Sequence, residues 1–437
     1  MHSSPPHVPP GKPTYRVLTT PTLAARLHRK IRRSKKLTRI LLPQPARLQL
    51  IAQSELVNSC GACATTLLSA ATIPAPPKLR CIGEPLVRFD APKDPPQFPA
   101  IQVIRTGPAV VFGHSNLVQT PNGQLVHHDL FNPTTHLLGE EYRRWLHVEL
   151  SNLTAQIIGM SMSTTTLSLA AVFTDACASN YAHWLTEVLP RIVLYMRSSN
   201  STGIPLIVDA GLHPNIYESL SIAAGGNRFI YALPKDGCVR VSNLDVVTPT
   251  GYVPFAARAP RLPGHSHGVF SPQALLAVRE AFRRLMSSPS TAYGRRIYVR
   301  RNAGLRKLIN DQEISNLLSA AGFDIVSPEQ LSFAEQVRLF SGAELVIGPT
   351  GAAMANLIFC QPGARVHVLM AQHPEMPYWY WQRMADCVGV RLSYGLGEIC
   401  DASENGFHSD FTFPLDMLED ALISFEKDGS ETPQSHS

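Results

Sequence analysis

Between residues 296 and 369 the apolar pattern switches repeatedly between short β-rich runs and helix-period segments. Arg296 to Arg300, Phe323 to Val326 and Glu344 to Gly348 read as strands, while the stretches near Asp311 to Ala321 and Phe333 to Phe340 repeat their apolar residues at helical spacing. This alternation predicts successive β-α units on a parallel sheet. The turn Gly348-Pro349-Thr350-Gly351-Ala352-Ala353 joins the strand Leu345 to Ile347 to a predicted small-residue helix over Gly351 to Ile358. Open α/β sheets bind ligands at such strand ends, and a helix N-terminus offers free N–H groups to a phosphate.

A second set of α/β signals lies upstream: strand Leu167 to Phe173, helix Asn180 to Met196, strand Pro205 to Asp209, helix Pro214 to Ala224, then strands near Phe229 and Val239 to Val247. Residues 251 to 270 lack periodicity and carry Pro254, Pro260, Pro263, Gly264 and Gly268, which suits an interdomain connection before a helix over Ser271 to Met286. Ahead of these units, short alternating runs at Ile101 to Arg105, Ala109 to Gly113, Leu117 to Thr120 and Leu125 to His128 predict a small antiparallel layer packed on the first sheet. Residues 55 to 72 read as helix and Pro74 to Pro99 as a linker; a last helix over Leu415 to Phe425 precedes a polar tail. The expected division is an arm over 1–54, a helix and linker over 55–99, α/β domains over 100–265 and 266–427, and a disordered tail over 428–437. Two such α/β domains would form a cleft between their facing carboxyl edges.

Charge refines this picture. The chain holds 39 Lys and Arg against 33 Asp and Glu, yet residues 1 to 54 contain 11 of the basic residues and no acid, so the remainder is net −5. Basic character therefore belongs to the arm, and a nucleic-acid-binding body, which would be basic with interleaved aromatics, is not expected. From Thr22 to Leu42 the residues Leu23, Leu27, Ile31, Leu37, Ile40 and Leu41 recur mostly at three- and four-residue steps among basic ones, a basic amphipathic helix suited to an anionic membrane surface. A solvated positive arm or a targeting extension accounts equally well for the same composition. No run of about 18 uncharged apolar residues predicts a membrane span. The prolines at 5, 6, 9, 10 and 13 interrupt any signal-type apolar stretch, so a cytoplasmic protein, peripheral at the inner face of a membrane, is expected. The eight cysteines are scattered, and the single CxxC at Cys60 and Cys63 lacks the second ligand pair of a zinc site. His127 and His128 precede Asp129, but adjacent strand residues face opposite ways, so one histidine is expected at the surface and no metal site is assigned.

Two stretches carry candidate chemistry. In Asn180-Tyr181-Ala182-His183-Trp184-Leu185-Thr186-Glu187-Val188-Leu189-Pro190-Arg191, His183 and Glu187 stand four apart on one helix face. A carboxylate beside imidazole fixes its tautomer and raises its basicity, so His183 could take a proton from a hydroxyl; the other reading is a structural His-Glu pair. Arg300 and Arg301 end a strand and face the 348–352 turn, an arrangement suited to gripping a diphosphate. Arg306 and Lys307 read as surface charge.

The segments Tyr181 to Arg191, Arg300-Arg301 with Leu308-Ile309-Asn310-Asp311, Ser332-Phe333-Ala334-Glu335-Gln336, and Gly348-Pro349-Thr350-Gly351-Ala352-Ala353-Met354-Ala355-Asn356 resemble, in that order, the blocks of glycosyltransferase family 61. That family includes bacterial capsular-polysaccharide-type enzymes, plant xylan-decorating transferases and animal O-linked N-acetylglucosaminyltransferases. The resemblance, over roughly residues 100 to 370, implies an α/β chain of GT-B architecture with two Rossmann-like domains. It also implies inverting transfer from a nucleotide sugar, a UDP-sugar, to a polysaccharide or lipid-linked saccharide, with no obligatory metal or other cofactor. His183 and Glu187 would then be catalytic, and Arg300, Arg301, Asn310, Glu335, Gln336, Gly348, Thr350, Gly351, Ala352, Asn356 and His367 would bind the donor. The family usually has His where this chain has Thr350, and Glu where it has His367. Both departures leave open a non-catalytic saccharide- or nucleotide-binding member.

Overall fold

The computed structural model describes residues 15–17, 46–60, 63–73, 75, 78–82, 85, 97–258, 267–288, 290, 292–302, 304–374, 376–400 and 408–430. The predicted amphipathic helix at 22 to 42 lies outside them, as does the tail beyond residue 430. The chain is α/β and forms two compact units. Unit 1 takes residues 1–69, 100–179 and 187–250; unit 2 takes 70–99, 180–186 and 251–437. Among the described residues no helix is long and apolar enough to cross a membrane.

Unit 1 is organised on a sheet of thirteen described strands. Ile230–Leu233, Leu206–Asp209 and Ser161–Val172 run parallel. All four residues of Leu206–Asp209 are buried, as expected for a strand covered on both faces. The strand Gly237–Val247 carries the sheet onward into antiparallel pairing with Ile101–Thr106 and Ala109–Phe112. The β-rich region is therefore not a separate layer packed on the sheet; it is hydrogen-bonded into it, and Val111, Val118 and Val126 share one core with Val172, Ile207 and Val239. Two further expectations are corrected. The stretch 55 to 72 splits into a helix, Gln53–Cys60, and a strand, Cys63–Leu68, paired with Ile101–Thr106; the ladder partner, together with Thr65 and Thr66, overrides helical propensity. His127 and His128 are both buried, with His127 Nδ1 2.8 Å from the carbonyl oxygen of His128.

Unit 2 is a doubly wound sheet. Its strands lie in the order Asp324–Val326, Arg296–Val299, Leu345–Pro349, Arg365–Ala371, Arg391–Ile399, all parallel. Numbered along the chain this is 2-1-3-4-5, so strand order reverses between Arg296–Val299 and Leu345–Pro349. Gly348 sits against the first of these: a Cβ there would come 2.8 Å from the carbonyl oxygen of Val299. The helices Asp311–Ala320 and Phe333–Gly342 follow at the predicted positions, and a further helix, Tyr378–Val388, lies where none was predicted. The segment after the glycine turn is a 3-10 helix, Ala352–Phe359, rather than an α-helix. The Pro-rich stretch is not merely a linker, because Cys81–Ile82 pairs with Arg391–Ile399 and so joins this sheet.

Candidate functional site

Ligands of doubly wound sheets bind beyond the strand carboxyl ends where the order reverses. In unit 2 that point is flanked by Arg300 and Arg301 on one strand exit and Thr350 and Gly351 on the other. The two arginines are used differently. Arg300 Nε donates to Asp311 at 2.7 Å and Nη2 lies 2.5 Å from the same carboxylate, which also accepts from the Tyr298 hydroxyl at 2.7 Å. Its charge is already neutralised within the fold. Arg301 instead donates through Nη1 to two carbonyl oxygens, Thr350 at 2.5 Å and Arg306 at 3.3 Å. Among the described residues it has no carboxylate within ion-pair distance. Burial, with Arg306 nearby, lowers its pKa to about 10, against the pull of Asp410. A half-buried guanidinium left without an anion is a place for an anionic ligand, since buried charge is costly unless paired.

Gly351 permits this arrangement. A Cβ there would lie 2.9 Å from Arg301 Cδ and 3.1 Å from Nε, so only glycine lets the guanidinium lie across the turn. Thr350 is buried, and its Oγ1 accepts from the indole N–H of Trp381 at 3.1 Å.

The His183 block enters the same unit. Asn180 caps its first turn by accepting from the Ala182 amide at 3.0 Å. The Tyr181 hydroxyl donates to Asn356 Oδ1 at 2.8 Å, and Asn356 Nδ2 donates to Gln336 Oε1 at 2.7 Å. Gln336 in turn donates to the carbonyls of Pro328 and Leu331, at 2.9 and 3.2 Å. This chain of amides ties Tyr181-Ala182-His183 to the 3-10 helix that follows Ala352, with His183 half-buried two residues after Tyr181. The helix is not uniformly α: Trp184–Val188 forms a π turn. Pro190 has no N–H for the Thr186 carbonyl, and a π turn accommodates such a gap; π turns are frequent at functional sites. Gly251 leaves room for that carbonyl, since a Cβ there would lie 2.8 Å from it.

Other expected site residues have structural duties in the fold. Asn310 exchanges hydrogen bonds with the Phe413 backbone, donating at 2.8 Å and accepting at 3.0 Å. Glu335 closes a capping box with Ser332, whose amide and hydroxyl each donate to it at 2.8 Å, holding its carboxyl below the usual range. His367 is fully buried in mid-strand, its Nδ1 2.9 Å from Ser393 Oγ, and burial with nearby Arg80 drops its pKa to about 3. The structure thus brings Arg301 against Thr350 and Gly351, with Ala352 next in the chain, and joins Gln336 and Asn356 to the His183 turn. It leaves Asn310, Glu335 and His367 outside that group.

Glu187 belongs to unit 1, where it is buried. Its carbonyl accepts from Arg191 Nε at 2.9 Å, and Arg191 Nη2 stands 3.4 Å from Asp175. Asp209 accepts the amides of His114 and Asp175, at 2.5 and 2.9 Å. Near these lies Glu140, buried in unit 1. Burial pushes its carboxyl up to about 7, with Asp175 adding to the rise and Ser115 and Arg143 tempering it. No pattern in the sequence marked Glu140, Asp209 or Trp381; Arg191 stood in the quoted block without a role. Among the described residues no three His, Cys, Asp or Glu side chains form a metal-ligand group.

No curated protein matches the chain. Residues 181–367 match the family described as Glycosyltransferase 61, a span that opens at Tyr181, takes in the Arg301–Gly351 contact and the Gln336–Asn356 pair, and ends at His367. The chain therefore carries a Glycosyltransferase 61 domain over these residues, which supports a transferase enzyme.

Proposed function

We propose that the protein transfers a sugar from a nucleotide-sugar donor, of UDP type, to a polysaccharide or lipid-linked saccharide, with inversion at the anomeric carbon and in a GT-B architecture. The observation that carries the donor assignment is Arg301, a half-buried guanidinium facing the reversal point of a doubly wound sheet with no carboxylate within ion-pair distance among the described residues. In this reading Arg301 and the Thr350–Gly351 turn grip the diphosphate and stabilise the charge it gains on leaving. The acceptor oxygen forms its bond to the anomeric carbon as the bond to the diphosphate breaks. The proton of that hydroxyl passes to His183, which the Tyr181–Asn356 hydrogen bond anchors to the same unit. Glu187, one turn on, is the second candidate base.

Thermal shift against UDP-, GDP- and CMP-sugars tests the donor class, because a ligand bound only by the folded state stabilises it by RT ln(1 + [L]/Kd). A rise with UDP-sugars is expected; no shift with any nucleotide sugar overturns the reading. NMR of the product reports inversion or retention directly. The basic stretch 22 to 42 is further proposed to hold the enzyme on an anionic membrane surface at its cytoplasmic face, each basic residue contributing on the order of 1 kcal/mol. Equal pelleting of the full chain and a chain lacking residues 1 to 45 on anionic vesicles would contradict it.

A further inference from the structure

The Thr350 hydroxyl is held by a group that the 181–367 family span does not include. Trp381 lies on the helix Tyr378–Val388, buried, with Tyr380 edge-on to it at 4.7 Å between ring centroids. An indole N–H only donates, so in the 3.1 Å contact Thr350 Oγ1 is the acceptor. The same residue's carbonyl accepts from Arg301. Two donors from two separate elements therefore fix the hydroxyl and carbonyl of Thr350, its amide donates to the Leu369 carbonyl at 2.8 Å, and the peptide leading to Gly351 has little freedom left. Gly351 carries the Arg301 side chain across its α-carbon, so any rotation of the turn moves the guanidinium.

We infer that Trp381 is a positioning residue of the donor site, acting through Thr350 to hold Arg301 in one geometry toward a diphosphate. The inference rests on the donor assignment proposed above. The effect works through preorganisation, since a guanidinium already in place loses less freedom when it grips phosphate.

The test is calorimetric binding of UDP and of inorganic pyrophosphate to the full chain and to Trp381→Phe, Thr350→Val, Thr350→Ser and the Trp381→Phe/Thr350→Val double variant. Trp381→Phe and Thr350→Val are each expected to weaken both ligands by about 5- to 20-fold, the value of one buried hydrogen bond. Thr350→Ser, which keeps the acceptor, should bind as the wild type does, and the double variant should be no weaker than the weaker single one, because both remove the same contact. Thr350→Val alters little volume, so a folded variant remains to be read even where Trp381→Phe loosens the helix. If the wild type binds both ligands and Trp381→Phe and Thr350→Val bind them equally well, the positioning role is overturned while the donor assignment stands. If the wild type binds neither, the donor assignment fails and the inference fails with it.

Discussion

Replacing Glu140 by glutamine should change how stability depends on pH. Glu140 is about 1% exposed, so ionising it inside unit 1 is costly. Its carboxyl is raised from 4.5 to about 7, first by burial and then by Asp175. Each unit corresponds to about 1.4 kcal/mol, so the full effect is about 3 kcal/mol. Between the two values the folded chain keeps a proton that the unfolded chain has lost. The stabilising contribution of the neutral carboxyl is therefore complete below about 4.5 and lost as pH rises through about 7. Glutamine is neutral throughout and keeps the shape. Urea unfolding of wild type and Glu140→Gln at half-unit steps from pH 4.5 to 8 should show the variant gaining on the wild type by about 3 kcal/mol across that range, with the slopes m unchanged. Parallel stability curves for the two proteins would show that Glu140 ionises without cost and would refute the reasoning.

Gly351→Ala should displace Arg301, because the new Cβ would stand 2.9 Å from Arg301 Cδ. UDP affinity measured by calorimetry is expected to fall about 10-fold or more, with thermal stability little changed; unaltered affinity would show that the guanidinium does not reach the ligand from this position. His183→Ala should lower kcat by two to four powers of ten while nucleotide affinity stays put, as expected for a lost proton acceptor. Steady-state kinetics with full turnover retained would return His183 to a structural role and leave Glu187 as the base.

Much of unit 2 was legible in the sequence because its strands are buried on both faces and read as short apolar runs. Leu345 to Ile347 followed by Gly348-Pro349-Thr350-Gly351 could hardly be anything but a strand feeding a turn. The helix at Gln53–Cys60 and the strand at Cys63–Leu68 were run together, since nothing local reveals that Ile101–Thr106 pairs with the second half. Arg300 and Arg301 are adjacent and chemically identical. What separates them is Asp311, eleven residues on, which the fold brings to Arg300 alone. For His367 a donor contact was implied only by the family resemblance; side-chain direction in a parallel strand follows packing, and here the ring meets Ser393 and Phe425. Glu140 sits on a four-residue helix, too short to carry a periodic signal, and its burial is a property of the surrounding packing alone. The π turn at Trp184–Val188 left one trace, Pro190, in a segment otherwise read as continuous helix.

The central claim is that Arg301, not Arg300, meets the donor's diphosphate. Calorimetric titration of UDP into wild type, Arg301→Ala and Arg300→Ala, with the unfolding midpoint of each, separates the two. Arg301→Ala should lose about 1.5–3 kcal/mol of UDP binding, the value of a hydrogen bond to a charged group, at nearly unchanged stability. Arg300→Ala should instead lose stability, because Asp311 keeps only its Tyr298 contact, and bind UDP far better than Arg301→Ala does. UDP bound equally well by Arg301→Ala and the wild type would contradict the account.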